Sequence, residues 1–289
     1  MERKIEFFST KGVTIEYSII GKGEPILVMH GGHSNCNEEF GYDFLIENGF
    51  SVITPSRPGY GKTSKEVGKS LTIACEYYVK LLNRLNIKKV HILAISAGGP
   101  SGIYFAAKYP EYVRTLILQS AVTKEWLNPN DKKHKIAKFL FHPKFEKVTW
   151  KLISSMNNRF PLFIFKRMFP SFSTLKYSDA KNKIDNDDRE AIRRMNYRQN
   201  SGYGFYIDLE QVNEITTEDL QAVSCPTLIM QSKFDGAVPI EHAYYAQKNI
   251  LTSELCLIES WGHLIWLGKS SNETNYNLFN FLISHKIFN

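Results

Sequence analysis

Short apolar runs alternate with longer amphipathic stretches over the first part of the chain and again near its end. Residues 13–20 read as a strand. Residues 25–30 contain Ile-Leu-Val-Met, a continuous apolar run suited to a strand buried on both faces. Phe40, Phe44 and Leu45 then recur at helical spacing, and Asn48-Gly49 is a stop signal. Residues 51–54 predict the next strand. Leu71, Ala74, Tyr78, Leu81, Leu82 and Leu85 keep a 3.6-residue period, and 89–95 is again a buried-type strand. A helix follows to about Lys108, with Pro110 ending it, and 114–119 predict a further strand. The alternation lapses and resumes at 226–231. A helix from about Ile240, a strand at 254–258 and a last helix complete it. Ser270 and Glu273 have capping-box spacing at the start of that helix.

Strands alternating with helices predict an α/β fold, a mostly parallel central sheet flanked by helices. The lapse predicts an insertion. We divide the chain into a first core part at 1–121, a helical insertion at 122–216 and a second core part at 217–289. Charge supports the division. Residues 124–198 hold 18 Lys/Arg and 8 Asp/Glu, a net +10, whereas the rest of the chain carries −3 of the total +7. The same stretch is dense in aromatic residues: Phe139, Phe141, Phe145, Trp150, Phe160, Phe163, Phe165, Phe169 and Phe172.

With 43% hydrophobic and 22% charged residues, the chain reads as globular. Cys36, Cys75, Cys225 and Cys256 are too scattered for a zinc site or a disulfide framework. They read as reduced thiols in a cytoplasmic protein. The first ten residues lack the apolar run of a signal peptide, and no run of about 18 apolar residues suits a membrane span. No metal motif, phosphate cradle or dinucleotide fingerprint is present, so no metal and no cofactor is expected.

The candidate chemistry lies where predicted strands end. Ala94-Ile95-Ser96-Ala97-Gly98-Gly99-Pro100 joins a buried strand directly to a helix. So sharp a turn needs small residues two before and two after its apex, and Ala94 and Gly98 supply them. The helix start offers free N–H groups and a positive dipole end beside the Ser96 hydroxyl. His30-Gly31-Gly32-His33 follows the 25–30 run, with no side chain to block backbone N–H groups. Asp235 stands in Gln231-Ser232-Lys233-Phe234-Asp235-Gly236-Ala237-Val238-Pro239, beyond a strand's C-terminal end, where parallel α/β sheets gather ligand-handling residues. Asp208, Asp219 and Glu259 are less well placed acids. His263 stands in Glu259-Ser260-Trp261-Gly262-His263-Leu264, after the last predicted strand.

These four segments together resemble the α/β-hydrolase fold superfamily, in particular its serine hydrolases of esterase and lipase type with a helical cap. The Ser96 turn resembles the nucleophile elbow, usually Gly-x-Ser-x-Gly, with Ala94 in place of the first glycine. His30–His33 is similar to the His-Gly oxyanion loop, and the order Ser, Asp, His is the family's. The resemblance implies Ser96 as nucleophile, Asp235 and His263 as its catalytic partners, and backbone N–H groups of Gly32 and Ala97 as the oxyanion hole. It makes His30 structural, and Ser56–Ser64 a glycine-rich loop that lines the site at most. The insertion would be the cap, burying part of its aromatics against an apolar substrate.

The expected reaction is cleavage of a carboxylic ester through an acyl-enzyme, with a small-molecule partner. A proline-iminopeptidase-like aminopeptidase is an alternative. Such enzymes usually carry His-Gly-Gly-Pro-Gly, whereas His33-Ser34 follows Gly32 here, and they need carboxylates to hold the substrate amine. Haloperoxidase-like and C–C-bond hydrolase chemistry use the same triad. A ligand-binding protein without turnover is the alternative of a different class. The basic stretch reads as a solvated face or as a peripheral membrane contact, and no nucleic-acid module accompanies it. The sequence assigns no oligomeric state.

Overall fold

Side chains alternate along each central strand, and the alternation builds two cores. In β3 (Glu24–Met29), Leu27 and Met29 join one apolar cluster, while Ile26 and Val28 join another. A computed structural model of the chain describes residues 2–126 and 132–286. Residues 1, 127–131 and 287–289, which fall within the divisions drawn above, lie outside the described residues.

The strands are β1 (Lys4–Thr10), β2 (Val13–Gly21), β3, β4 (Phe50–Pro55), β5 (Val90–Ile95), β6 (Val113–Gln119), β7 (Thr227–Ser232) and β8 (Ser253–Ile258). They form one sheet in the order β1-β2-β4-β3-β5-β6-β7-β8. β1 and β2 run antiparallel to their neighbours, and β3 to β8 are mutually parallel. The helices are α1 (Asp43–Glu47), α2 (Leu71–Arg84), α3 (Gly99–Lys108), α4 (Lys132–Leu140), α5 (Glu146–Arg159), α6 (Pro161–Phe172), α7 (Asp188–Arg198), α8 (Gly204–Gln211), α9 (Thr217–Gln221), α10 (Glu241–Asn249) and α11 (Ser271–Ser284). Side chains of α2, α3 and α10 fill the cluster on one sheet face, and those of α1 and α11 fill the other. This is the expected α/β-hydrolase architecture. α4 to α8 stand between β6 and β7.

Two local expectations need correction, and one strand was not anticipated. The 40–45 periodicity is not one helix: α1 begins only at Asp43, and Phe40 is a buried loop residue before it. Residues 4–10 pair along their whole length with β2, giving an edge strand with little burial to mark it. Ser270 precedes α11 but makes no side-chain cap, and its hydroxyl is sealed without a partner. The complete capping box lies at α9. There the Thr216 side chain accepts the Asp219 N–H, and the Asp219 side chain accepts the Thr216 N–H.

Among the described residues, no helix is long and apolar enough to cross a membrane. The four cysteines are free, Cys36 and Cys75 buried and Cys225 and Cys256 half-buried.

The two cap signals separate in a stability measurement. Thr216→Ala is expected to cost about 1 kcal/mol in urea unfolding, because it strips a satisfied N-cap. Ser270→Ala is expected to stay within about 0.5 kcal/mol of the parent. Equal losses would contradict the capping assignment.

Candidate active site

The C-terminal ends of β3, β5, β7 and β8 deliver the predicted residues to one place. Ser96 sits directly after β5 at φ +51°, a left-handed conformation that few residues other than glycine adopt. A short 3-10 turn, Ser96–Gly98, leads into α3. Glycine is required at position 98, since a Cβ there would lie 2.1 Å from the Met29 carbonyl oxygen at the end of β3. The methyl of Ala94, where the family pattern has glycine, finds its room at Gly102. A Cβ on Gly102 would fall 2.5 Å from the Ala94 Cβ.

That close approach sets the Gly31-Gly32 turn beside Ser96 and Ala97. A Cβ placed on Gly31 would lie 3.5 Å from the Ser96 Cβ, and one on Gly32 would lie 3.6 Å from the Ala97 Cβ. His263 Nε2 is 2.9 Å from Ser96 Oγ, and His263 Nδ1 is 2.7 Å from Asp235 Oδ2. A carboxylate only accepts, so Nδ1 carries the proton and Nε2 accepts from the serine hydroxyl. Asp235 is buried and held from several sides. Its Oδ2 also accepts from Gln231 Nε2 at 2.8 Å, and its Oδ1 accepts the N–H groups of Ala237 and Val238 at 2.8 and 2.9 Å.

The end of α6 is joined to both of these loops. The Phe172 carbonyl accepts the His263 and Gly236 N–H groups, and Thr174 N–H donates to the Phe234 carbonyl. The Phe172 ring lies nearly parallel to the His263 ring at 6.5 Å.

The competing acids lie elsewhere. Asp219 caps α9 and pairs with Lys108, and Glu259 pairs with Lys233 and Lys183 near the surface. Asp208, on α8, forms a buried bidentate pair with Arg57 and accepts from the Tyr60 hydroxyl at 2.6 Å. Burial opposes the charge on Arg57, but Asp208 outweighs it and holds the guanidinium above its usual range. Arg57 also donates from Nε to the His30 carbonyl at 2.6 Å, and from its backbone N–H to His30 Nε2 at 2.9 Å. His30 is therefore engaged within the scaffold, and burial holds it neutral, well below the usual histidine range. The Tyr60 hydroxyl accepts the His33 N–H at 3.3 Å. The 56–64 loop thus anchors the Gly31-Gly32 turn on both sides.

A cavity of about 300 Å³ opens over Ser96. It is walled by Gly31, Gly32, Ala97 and His263 below and by Trp126, Phe141, Trp150, Met168, Phe172, Met195 and Phe205 above. The nine aromatics of the inserted stretch divide three ways. Phe141, Trp150 and Phe172 line the cavity; Phe165 and Phe169 pack in a small core with Trp261; Phe139, Phe145, Phe160 and Phe163 are exposed. Part of the aromatic density faces the cavity, as expected, and the rest is divided between an internal core and the surface. Among the described residues, no group of three or more His, Cys, Asp or Glu is arranged to hold a metal ion.

Two further residues line the cavity without a clear signal in the sequence. Glu38 is half-buried, and burial raises its carboxyl above the usual range against the opposing pull of Ser34 and Arg198. His33 stands at φ +62°, its ring between Phe141 and Phe205. Its Nδ1 is 2.7 Å from the buried Ser201 Oγ, which also accepts from Trp150 Nε1 at 2.8 Å.

A family model of the α/β-hydrolase fold matches residues 24–269. This chain belongs to the α/β-hydrolase fold family. Within the family, the protein named uncharacterized hydrolase YcgS from Bacillus subtilis (strain 168) is 59% identical over 284 residues, spanning 98% of this chain and 100% of that protein. A 2-hydroxy-6-oxononadienedioate/2-hydroxy-6-oxononatrienedioate hydrolase 1 from Pseudomonas putida is 24% identical, over 87% of this chain and 86% of its own. Among solved structures, an α/β-hydrolase fold protein from Nakamurella multipartita has a TM-score of 0.82 at 23% identity, covering 96% of this chain and 99% of that one.

Burial lowers His33 to about 3 and His242 to about 4, against an ordinary value of 6.5. The unfolded chain therefore binds protons that the folded chain refuses between those limits. Their contribution to stability is fully present above pH 6.5 and is lost as pH falls towards 4, by up to about 1.4 kcal/mol per group per pH unit. His33→Gln is expected to flatten the fall in urea midpoint between pH 7 and pH 5. An unchanged slope would contradict the lowered proton affinity of His33 in the folded protein.

Proposed function

We propose that the protein is a serine hydrolase that cleaves neutral carboxylic esters through an acyl-enzyme. The observation that carries this reading is the hydrogen-bonded line Ser96–His263–Asp235 at the floor of a largely apolar cavity. Ser96 Oγ attacks the ester carbonyl while His263 Nε2 takes its proton. Asp235 fixes the imidazole tautomer and stabilises the imidazolium. The N–H groups of Gly32 and Ala97 hold the oxyanion, each donor contributing on the order of 3 kcal/mol in enzymes of this kind. His263 returns the proton to the departing alcohol, then activates the water that releases the acid. No cofactor enters this scheme. Residues 122–216 act as a cap that excludes water from the chemistry.

The lining selects among substrates. The Pseudomonas relative is named for a dienedioate, whose two carboxylates call for cationic partners. Here no Lys or Arg among the described residues lines the cavity. The lining therefore favours a neutral ester. Glu38 also supports a second reading, an aminopeptidase in which this carboxylate holds the substrate amine. Burial works against that role, because it disfavours the charged carboxylate that would hold an ammonium group.

Ser96→Ala is expected to lower ester turnover by a factor on the order of a million while leaving the far-UV spectrum and unfolding midpoint intact. Retention of a tenth of the parent rate would exclude Ser96 as nucleophile.

The substrate class is read from kcat/KM for acetate, butyrate, hexanoate and octanoate esters of one alcohol, with an aminoacyl amide beside them. A rise from acetate to hexanoate is expected, at up to about 0.8 kcal/mol per buried methylene. A fall from acetate onwards would contradict an apolar acyl pocket, and preference for the amide would favour the aminopeptidase.

A further inference from the structure

The inserted helices turn an apolar surface to solvent. α4 exposes Ile136, Phe139 and Leu140, α5 exposes Val148, Leu152 and Met156, and α6 exposes Leu162 and Phe163. In α4 and α5 the spacing is three or four residues, one stripe along one side of a helix. Phe139 is 72% exposed and Val148 69%. On α5 the buried Trp150 is two positions from both Val148 and Leu152, about 200° around the helix axis. Trp150 faces the cavity, so the apolar stripe faces away from it. On α6 the buried Ile164 and Phe165 stand in the same relation to the exposed Leu162 and Phe163. The three helices are neighbours: α5 packs on α6, and Thr149 Oγ1 of α5 donates to the Leu140 carbonyl at the end of α4.

Charge identifies the partner. Residues 132–172 contain ten Lys/Arg and a single acid, Glu146, which is buried. Lys135, Lys138, Lys147, Lys151, Arg159 and Lys166 are exposed beside the apolar stripes. Bulky apolar side chains with a one-sign basic flank suit a surface that is apolar within and anionic at its boundary. A second copy of this chain fits poorly, because it would bring the same positive face against its like.

We propose that the outer face of α4, α5 and α6 docks onto an anionic lipid surface. The exposed Phe, Leu and Val side chains enter the headgroup boundary, and the lysines and arginines pair with lipid phosphates. The contact places the cap at the membrane with its Trp150 side still turned to the cavity, and it does not depend on which bond the enzyme cleaves.

The test is co-sedimentation of the full chain with vesicles of phosphatidylcholine, with and without about one-third phosphatidylglycerol, at low salt. The protein is expected to pellet with the anionic vesicles and to remain in solution with phosphatidylcholine alone. Leu152→Glu/Phe163→Glu and Lys147→Glu/Lys151→Glu should each weaken partitioning by at least about tenfold, with thermal unfolding unchanged. Hydrogen exchange on the unaltered protein provides a second readout independent of any variant, with vesicle-bound protection rising in α4 to α6. The proposal would be overturned by no pelleting with anionic vesicles, by pelleting that Leu152→Glu/Phe163→Glu leaves unchanged, or by exchange protection elsewhere on the surface. A dimer in sedimentation velocity that the same apolar substitutions dissociate, without lipid binding, would assign the face to a second copy. Capture of an acidic protein in place of lipid would likewise reject it.

Discussion

The Gly98 turn leaves no room for a side chain against the Met29 carbonyl, and this contact between two backbones governs the site. β3 and β5 are adjacent parallel strands, so the turns after them emerge side by side. Only small residues let those turns touch, and only when they touch do Gly31 and Gly32 reach Ser96 and Ala97. The strain at Ser96 follows from the same geometry. Its left-handed backbone is tolerated because β5 before it and α3 after it over-determine the turn. The acid and histidine loops then need only project from the next parallel strands on the same sheet edge.

A second contact ties this arrangement to the inserted helices. Arg57 bridges the His30 carbonyl and Asp208, and Tyr60 bridges Asp208 and the His33 N–H. One carboxylate on α8 thereby supports the glycine turn beside Ser96. Breaking a buried pair of this kind by removing one partner costs about 3–5 kcal/mol, since the other charge is stranded. Phe172 joins the end of α6 to the Asp235 and His263 loops by backbone hydrogen bonds. The helices above the cavity are therefore fastened beside the glycine turn and beside the Asp235 and His263 loops, and the outer faces of α4 to α6 are left free of those contacts.

Much of this was legible in the chain because parallel-sheet chemistry collects at strand ends. Ser96, Asp235 and His263 each follow a continuous apolar run, and the structure brings the three into one hydrogen-bonded line. The partner of Arg57 was not legible. Asp208 lies 151 residues away, and no local pattern separates it from other acids on a helix. Glu38 gave no signal for the same reason. β1 escaped notice because an edge strand with little burial carries no clean alternation. Phe40 imitated helical spacing because a buried loop residue and the buried face of α1 meet the same core. The aromatic run was visible as a cluster, but its split among cavity, internal core and open surface depends on helix phase, which adjacent helices set for one another.

The central claim is that the Ser96 turn holds an activated nucleophile. A fluorophosphonate probe reads this directly, since it reacts covalently only with a hydroxyl that an adjacent base deprotonates. Intact-mass and peptide mass spectrometry after labelling are predicted to find one adduct per chain, on the peptide containing Ser96, and none on the His263→Ala protein. No adduct, an adduct on another serine, or labelling that persists without His263 would contradict the account.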